Sequence, residues 1–167
     1  NINARGGNEF FKYFVNLEHF NQDGFFKTDN SNNYSTNAGA KGYFVRSNVD
    51  VKITDRLGGG MYIMGRIMDL NAPGSDGANN IFQAILNTPA SAYPIRNPNG
   101  SFGGSSRFQN NILGQSQYSG YFIGHTRTVL TDFYLRRDLD DVLPGLWAKA
   151  RVSFFSDMRE NYTRSKT

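Results

Sequence analysis

Within residues 43–54, YFVRSNVDVKIT, apolar and polar residues fall into one-by-one alternation. From Val45 onward, with Ser47 the one exception, Val45, Ser47, Val49, Val51 and Ile53 fall on one face of an extended chain, and Arg46, Asn48, Asp50, Lys52 and Thr54 on the other. A period of two belongs to a strand with one greasy and one wet face. Four further segments, at 9–20, 59–69, 126–139 and 146–155, carry the same alternation, cleanest in LWAKARVSFF, where Leu146, Ala148, Ala150, Val152 and Phe154 oppose Trp147, Lys149, Arg151 and Ser153. Each apolar face must be covered, and two coverings are open: a second sheet in a sandwich, or lipid around a barrel.

The connections separate the two. Those at 55–59 and 140–145 are short, whereas those at 21–41 and 70–120 are long, so short and long alternate along the chain. Outer-membrane barrels have this habit, with brief turns on one side and extended loops outside. Compact soluble domains rarely hold a connection of about fifty residues. The longer loop has content of its own: IFQAILNTP at 81–89 predicts a helical turn or two ending before Pro89, and RNPNGSFGG at 96–104 is dense in turn residues. Ordered long loops tend to carry function.

Composition agrees with an all-β chain. Fourteen Phe, nine Tyr and eighteen Gly among 167 residues suit strands separated by turns. No run of eighteen apolar residues offers a membrane helix, which leaves membrane strands untouched because alternating segments average out as polar. The excess of Lys and Arg over Asp and Glu, 18 − 14 = +4, is spread along the chain instead of gathered in a patch, so no nucleic-acid partner is expected. Absence of Cys removes disulfides and thiolate chemistry.

Catalysis finds little footing. His19 and His125 are the only histidines and lie far apart in sequence, and no nucleophile and base share a supporting spacing. The acidic run Asp138, Asp140, Asp141 lacks the spacing of a calcium loop, and the glycines at 58–60 precede a strand instead of a helix, which rules out a phosphate cradle. We therefore expect no enzyme, no metal and no cofactor. Binding is better served: Tyr93, Phe102, Phe108 and Tyr118 lie in the long loop among Asn97, Asn99 and further amides, a mixture that suits a sugar, although a loop this long also needs aromatics for its own packing. On the wet faces, Arg46, Asn48, Asp50, Lys52, Asp132, Arg136, Lys149 and Arg151 are candidates to face a lumen, with salt-bridge ladders between strands as their ordinary role.

In order along the chain, KYFVNLEHFNQDGFFK, RSNVDVKITDRLGGGMYI, IFQAILNTPASAYPIRNPNGSFGG and YLRRDLDDVLPGLWAKARVSF resemble the barrel region of SusC/RagA-type TonB-linked outer-membrane transporters. The matching positions are Arg46, Ser47, Asn48 and Asp50; Thr88, Pro89, Pro94, Asn97, Pro98, Gly100 and Ser101; and Asp138, Leu139, Gly145 and Leu146, so the resemblance covers nearly the whole chain. It implies the bacterial outer membrane, a 22-stranded barrel closed by an N-terminal plug, a TonB-contacting segment, and a SusD-like surface lipoprotein acting as a lid. It also implies active uptake of glycans, their fragments or peptides. Five strands cannot close a transmembrane barrel, the smallest of which needs eight. The expectation is therefore an antiparallel transmembrane β-barrel segment. In it residues 1–167 supply about five strands of the larger barrel without its plug, 21–41 and 70–120 are extracellular loops, and the longer loop is partly helical. In that setting the wet-face charges gain a second role, contact with the plug. The alternative is a soluble β-sandwich that binds glycans or serves as an interaction domain.

Overall fold

The computed structural model describes residues 1–74 and 77–166. Six strands form one antiparallel open sheet in sequence order: β1 (Ile2–Gly7), β2 (Phe11–Asp23), β3 (Gly39–Lys52), β4 (Leu57–Pro73), β5 (Gly120–Asp138) and β6 (Trp147–Ser165). Each of the five alternating segments became a strand, and one more precedes them. β1 pairs with β2 from Ile2↔Leu17 to Gly7↔Lys12. Its six residues, INARGG, include only two apolar side chains and end in glycines, too little for alternation to register. The strands also outrun the segments that announced them, as β4 continues to Pro73 and β6 to Ser165. The loops are correspondingly narrower than expected, at 24–38 and 74–119.

Two helices occupy the longer loop, α1 (Gly77–Asn87) and α2 (Ile112–Tyr118), and they pack on each other. α1 stops ahead of Pro89 as the sequence predicted, but starts four residues earlier than the expected 81. α2 went unforeseen; it is short and begins at Asn111, whose side chain accepts a hydrogen bond from the Gly114 N–H as an N-cap.

The chain divides into two compact units. The first comprises Asn1–Phe20, Lys41–Met68 and His125–Arg159, and the second Asn21–Ala40, Asp69–Gly124 and Glu160–Thr167. All three short turns, at 8–10, 53–56 and 139–146, fall in the first unit, and both long connections fall in the second.

Each short turn is fastened by a polar side chain. Asn8 Oδ1 accepts from the N–H groups of Phe10 and Phe11 at 2.9 and 2.8 Å, Thr54 Oγ1 from Leu57 at 3.0 Å, and Asp140 Oδ1 from Gly145 at 2.7 Å. Such side-chain mimicry of a turn carbonyl fixes the reversal, and with it the register of each hairpin.

In the first unit none of the described residues covers the apolar face. β3, β4 and β5 are flanked on both sides by strands, yet Val129, Phe133 and Leu135 remain 43, 50 and 53% exposed, and Val45, Val51 and Ile67 are similarly open. Neighbouring strands shield a residue only from the side, so exposure of this kind means an uncovered face. A sandwich needs a second sheet, and the described residues form one. The fully buried apolar side chains among them, Ile81 on α1 and Pro73 at the end of β4, both lie in the second unit.

Candidate functional site

Two groupings of polar residues stand out, one in each unit. On the polar face of the first, Asp50 of β3 is the hub: its Oδ1 accepts from Tyr62 on β4 at 3.1 Å and from Tyr134 on β5 at 2.6 Å. The two tyrosine rings stack at 5.7 Å and 14°, and Lys149 Nζ of β6 sits 4.3 Å from the centroid of Tyr134. Four strands are thus joined around one carboxylate. Gly60 makes this possible, because a Cβ there would stand 2.4 Å from the Tyr134 ring and 2.6 Å from Asp50 Oδ1.

A second chain of contacts crosses the same face. Arg66 Nη2 donates to Thr128 Oγ1 at 3.3 Å, Thr128 donates to Asp157 at 2.6 Å, and Arg159 pairs with the other oxygen of Asp157 at 2.9 Å. Asp132 accepts from the Ser153 hydroxyl.

The eight wet-face candidates therefore divide. Asp50, Asp132 and Lys149 make contacts across strands. Lys52 instead reaches Asp55 in the adjacent turn at 2.7 Å, holding that exposed carboxyl below its ordinary range, and Arg136 bonds Asp138 on its own strand at 3.1 Å while lying over Trp147. Arg46, Asn48 and Arg151 have no side-chain partner among the described residues. The expected ladder of salt bridges is largely a set of hydroxyl-to-carboxylate bonds. Sequence reasoning named Asp50 and Asp132 but missed Asp157, which lies beyond the alternating segment of β6, and the partners Tyr62, Thr128, Tyr134 and Ser153, because a hydroxyl carries no charge to betray a pairing.

In the second unit the six loop candidates contact the loop itself, all but the exposed Asn99 at least half-buried. Tyr93 Oη donates to the Asn110 carbonyl at 3.3 Å and accepts from the Ile112 N–H at 3.2 Å. Asn97 Nδ2 donates to Ser101 Oγ and to the Phe102 carbonyl, and Asn99 Oδ1 accepts from both Ser101 donors. Phe102 lies between the Arg96 guanidinium, 4.6 Å from its centroid, and the Tyr118 ring at 5.6 Å. Phe108 is half-buried against Arg107. These residues staple the loop to itself, the packing role left open by the sequence.

The staples converge on two residues outside the six loop candidates. Asn111, buried, donates to the carbonyls of Ile95 and Gly103 at 3.0 and 2.9 Å while capping α2. Asp29 accepts from the Tyr118 hydroxyl and from the N–H and hydroxyl of Ser31, and these donors, Tyr118 first, lower its carboxyl to about 2. Asp29 to Tyr118 and Asn32 Nδ2 to the Gln117 carbonyl tie the shorter loop to α2. Asn71 Nδ2 ties it to the end of β4 through the carbonyls of Ser35 and Asn37.

The surface left free by this stapling lies around Phe25, Phe26, Phe82 and Phe122, which wall a cleft of about 850 Å³ together with Asp23 and Asn71. A smaller cavity of about 440 Å³ lies among Phe26, Ile85, Tyr93 and Ile95. Sizes of this order suit small ligands. Of the expected loop residues only Tyr93 lines either cavity. The two histidines stay apart: His19 stacks on Tyr43 at 4.6 Å, and His125 lies on β5. Compared with protein families, with curated proteins and with solved structures, the chain finds no match.

Proposed function

We propose that this chain forms part of the wall of a bacterial outer-membrane β-barrel, in a TonB-dependent transporter of SusC/RagA type that imports glycans or peptides. The observation that carries the reading is the two-sidedness of the sheet in the first unit. Its apolar face is uncovered on β3 to β5, where contiguous apolar exposure on a soluble domain would be a liability, and its other face is a network of paired carboxylates, tyrosines and arginines. The strict alternation of three short turns with two long connections supports it. In this reading Val45, Val51, Phe133 and Val152 meet lipid. Arg46, Asn48, Asp50, Lys52, Asp132, Arg136, Lys149 and Arg151 face the lumen or its plug. The loops of the second unit meet substrate and a SusD-like lid. Force transmitted through TonB moves the plug, and substrate held under the lid passes along the lumen.

Adjacent residues on opposite faces of β6 provide the test. Arginine at a lipid-facing midplane position costs about 2–4 kcal/mol, whereas a lumen position tolerates it. In the complete transporter, Val152→Arg should therefore depress insertion into phospholipid vesicles, read by protease protection and heat-modifiable mobility, while Ser153→Arg, beside Asp132, should insert nearly as the unsubstituted transporter does. Equal insertion of the two variants would overturn the assignment of faces.

A further inference from the structure

The cleft of about 850 Å³ and the cavity of about 440 Å³ share Phe25 and Phe26, whose rings lie 5.1 Å apart. Each therefore offers a separate apolar chamber beside a common aromatic wall, with Phe82 and Phe122 in the larger and Ile85 and Ile95 in the smaller. The charges at the two chambers are opposite. Asp23 lines the first and Lys27 the second, and among the described residues neither has an ion-pair partner. They are four residues apart in sequence, so the backbone between them spans at most about 14 Å.

We infer that these two chambers bind a short apolar peptide with free ends, one side chain in each chamber, its ammonium group toward Asp23 and its carboxylate toward Lys27. The inference rests on the transport reading for its purpose and names peptide as the cargo class. A sugar presents hydroxyls on every edge and needs a rim of free amides and carboxylates. The rings shared by both chambers are phenylalanines without a polar tip; the larger chamber keeps the amides of Gln22 and Asn79, but in the smaller one the polar groups of Tyr93, Asn111 and Ser116 are already engaged within the loop. Two apolar chambers flanked by one negative and one positive side chain match the pattern of a zwitterion with greasy side chains.

The test is calorimetric titration of the detergent-purified complete transporter with trileucine, with trileucine acetylated and amidated at its ends, and with maltotriose. Trileucine should bind, and should bind about tenfold more weakly once both ends are capped or once Asp23→Asn removes the carboxylate. Phe82→Ala should weaken free and capped peptide alike, with the sheet checked by circular dichroism. Equal affinity for free and capped peptide, indifference to Asp23→Asn, or binding of maltotriose in place of trileucine would each overturn the inference. Vesicle insertion of the same sample separates the two claims: an inserted protein that ignores trileucine strikes the peptide site alone, and a peptide-binding protein that never inserts strikes the transport reading alone.

Discussion

Asp29 is the most heavily engaged side chain of the shorter loop, holding Tyr118 and both donors of Ser31. Its carboxyl lies at about 2, below the ordinary 3.8, so the stabilisation it provides is fully present above the ordinary value and is lost as pH falls through about 2. Tyr118→Phe removes the leading cause and should move the carboxyl back toward 3.8; hydrogen exchange over residues 29–34, followed against pH, should then loosen at a higher pH than in the parent. An unchanged pH profile would mean that Ser31 alone sets the titration. On the sheet, Asp50→Ala strands two tyrosine hydroxyls at once, and thermal unfolding should register a loss of about 1–3 kcal/mol. Neither cluster was legible in the sequence. Asp50 stood out as a charge on a wet face, but Tyr134 lies on a strand more than eighty residues away, and Tyr118 was read as a sugar-stacking candidate because nothing local says that its hydroxyl faces Asp29.

The strands were the most legible elements because their faces differ in polarity at every step, and β3 shows this best. Where that contrast fails, so does the reading: β1 is too short and too rich in glycine, and β6 beyond Phe155 enters the mixed stretch SDMRENYTRS. α2 escaped notice because ILGQSQY is shorter than two turns and contains a glycine, whereas IFQAIL announced α1. Glycine placement also matters between elements. Gly120 opens β5 at φ +100°, and a Cβ there would stand 1.8 Å from the Arg164 carbonyl oxygen of β6. Gly120→Ala combines a clash with backbone and a conformation costing L-residues about 1–2 kcal/mol, so it should part the end of the β5–β6 pair. Gly100→Ala meets open space at φ +85° and should show only the conformational cost. Hydrogen exchange at residues 161–166 distinguishes them: loosening in the first variant and none in the second is the expected result.

At the scale of the molecule, what the sequence conveyed was a sheet with an apolar face and a long ordered loop, and what it could not convey was which loop residues look outward. Tyr93, Asn97 and Phe102 carry the chemistry of a binding site, yet they spend it on the loop's own fastening. Within the transport reading, deleting residues 71–120 should impair uptake or lid docking in the transporter while leaving barrel insertion intact; normal uptake together with normal docking would remove this loop from the mechanism. The sequence-ordered sheet has a further consequence, for the order in which the chain assembles. Every strand pairs only with its neighbours in sequence, so each hairpin can zip from its own turn without waiting for a distant partner. The exception is β4 meeting β5 across residues 74–119, where closing the loop costs about 2 kcal/mol more entropy than closing the tight turn at 53–56. The hairpins β3–β4 and β5–β6 should therefore form first and independently, and their joining, with α1 and α2 already coiled between them, should be the slow step in refolding.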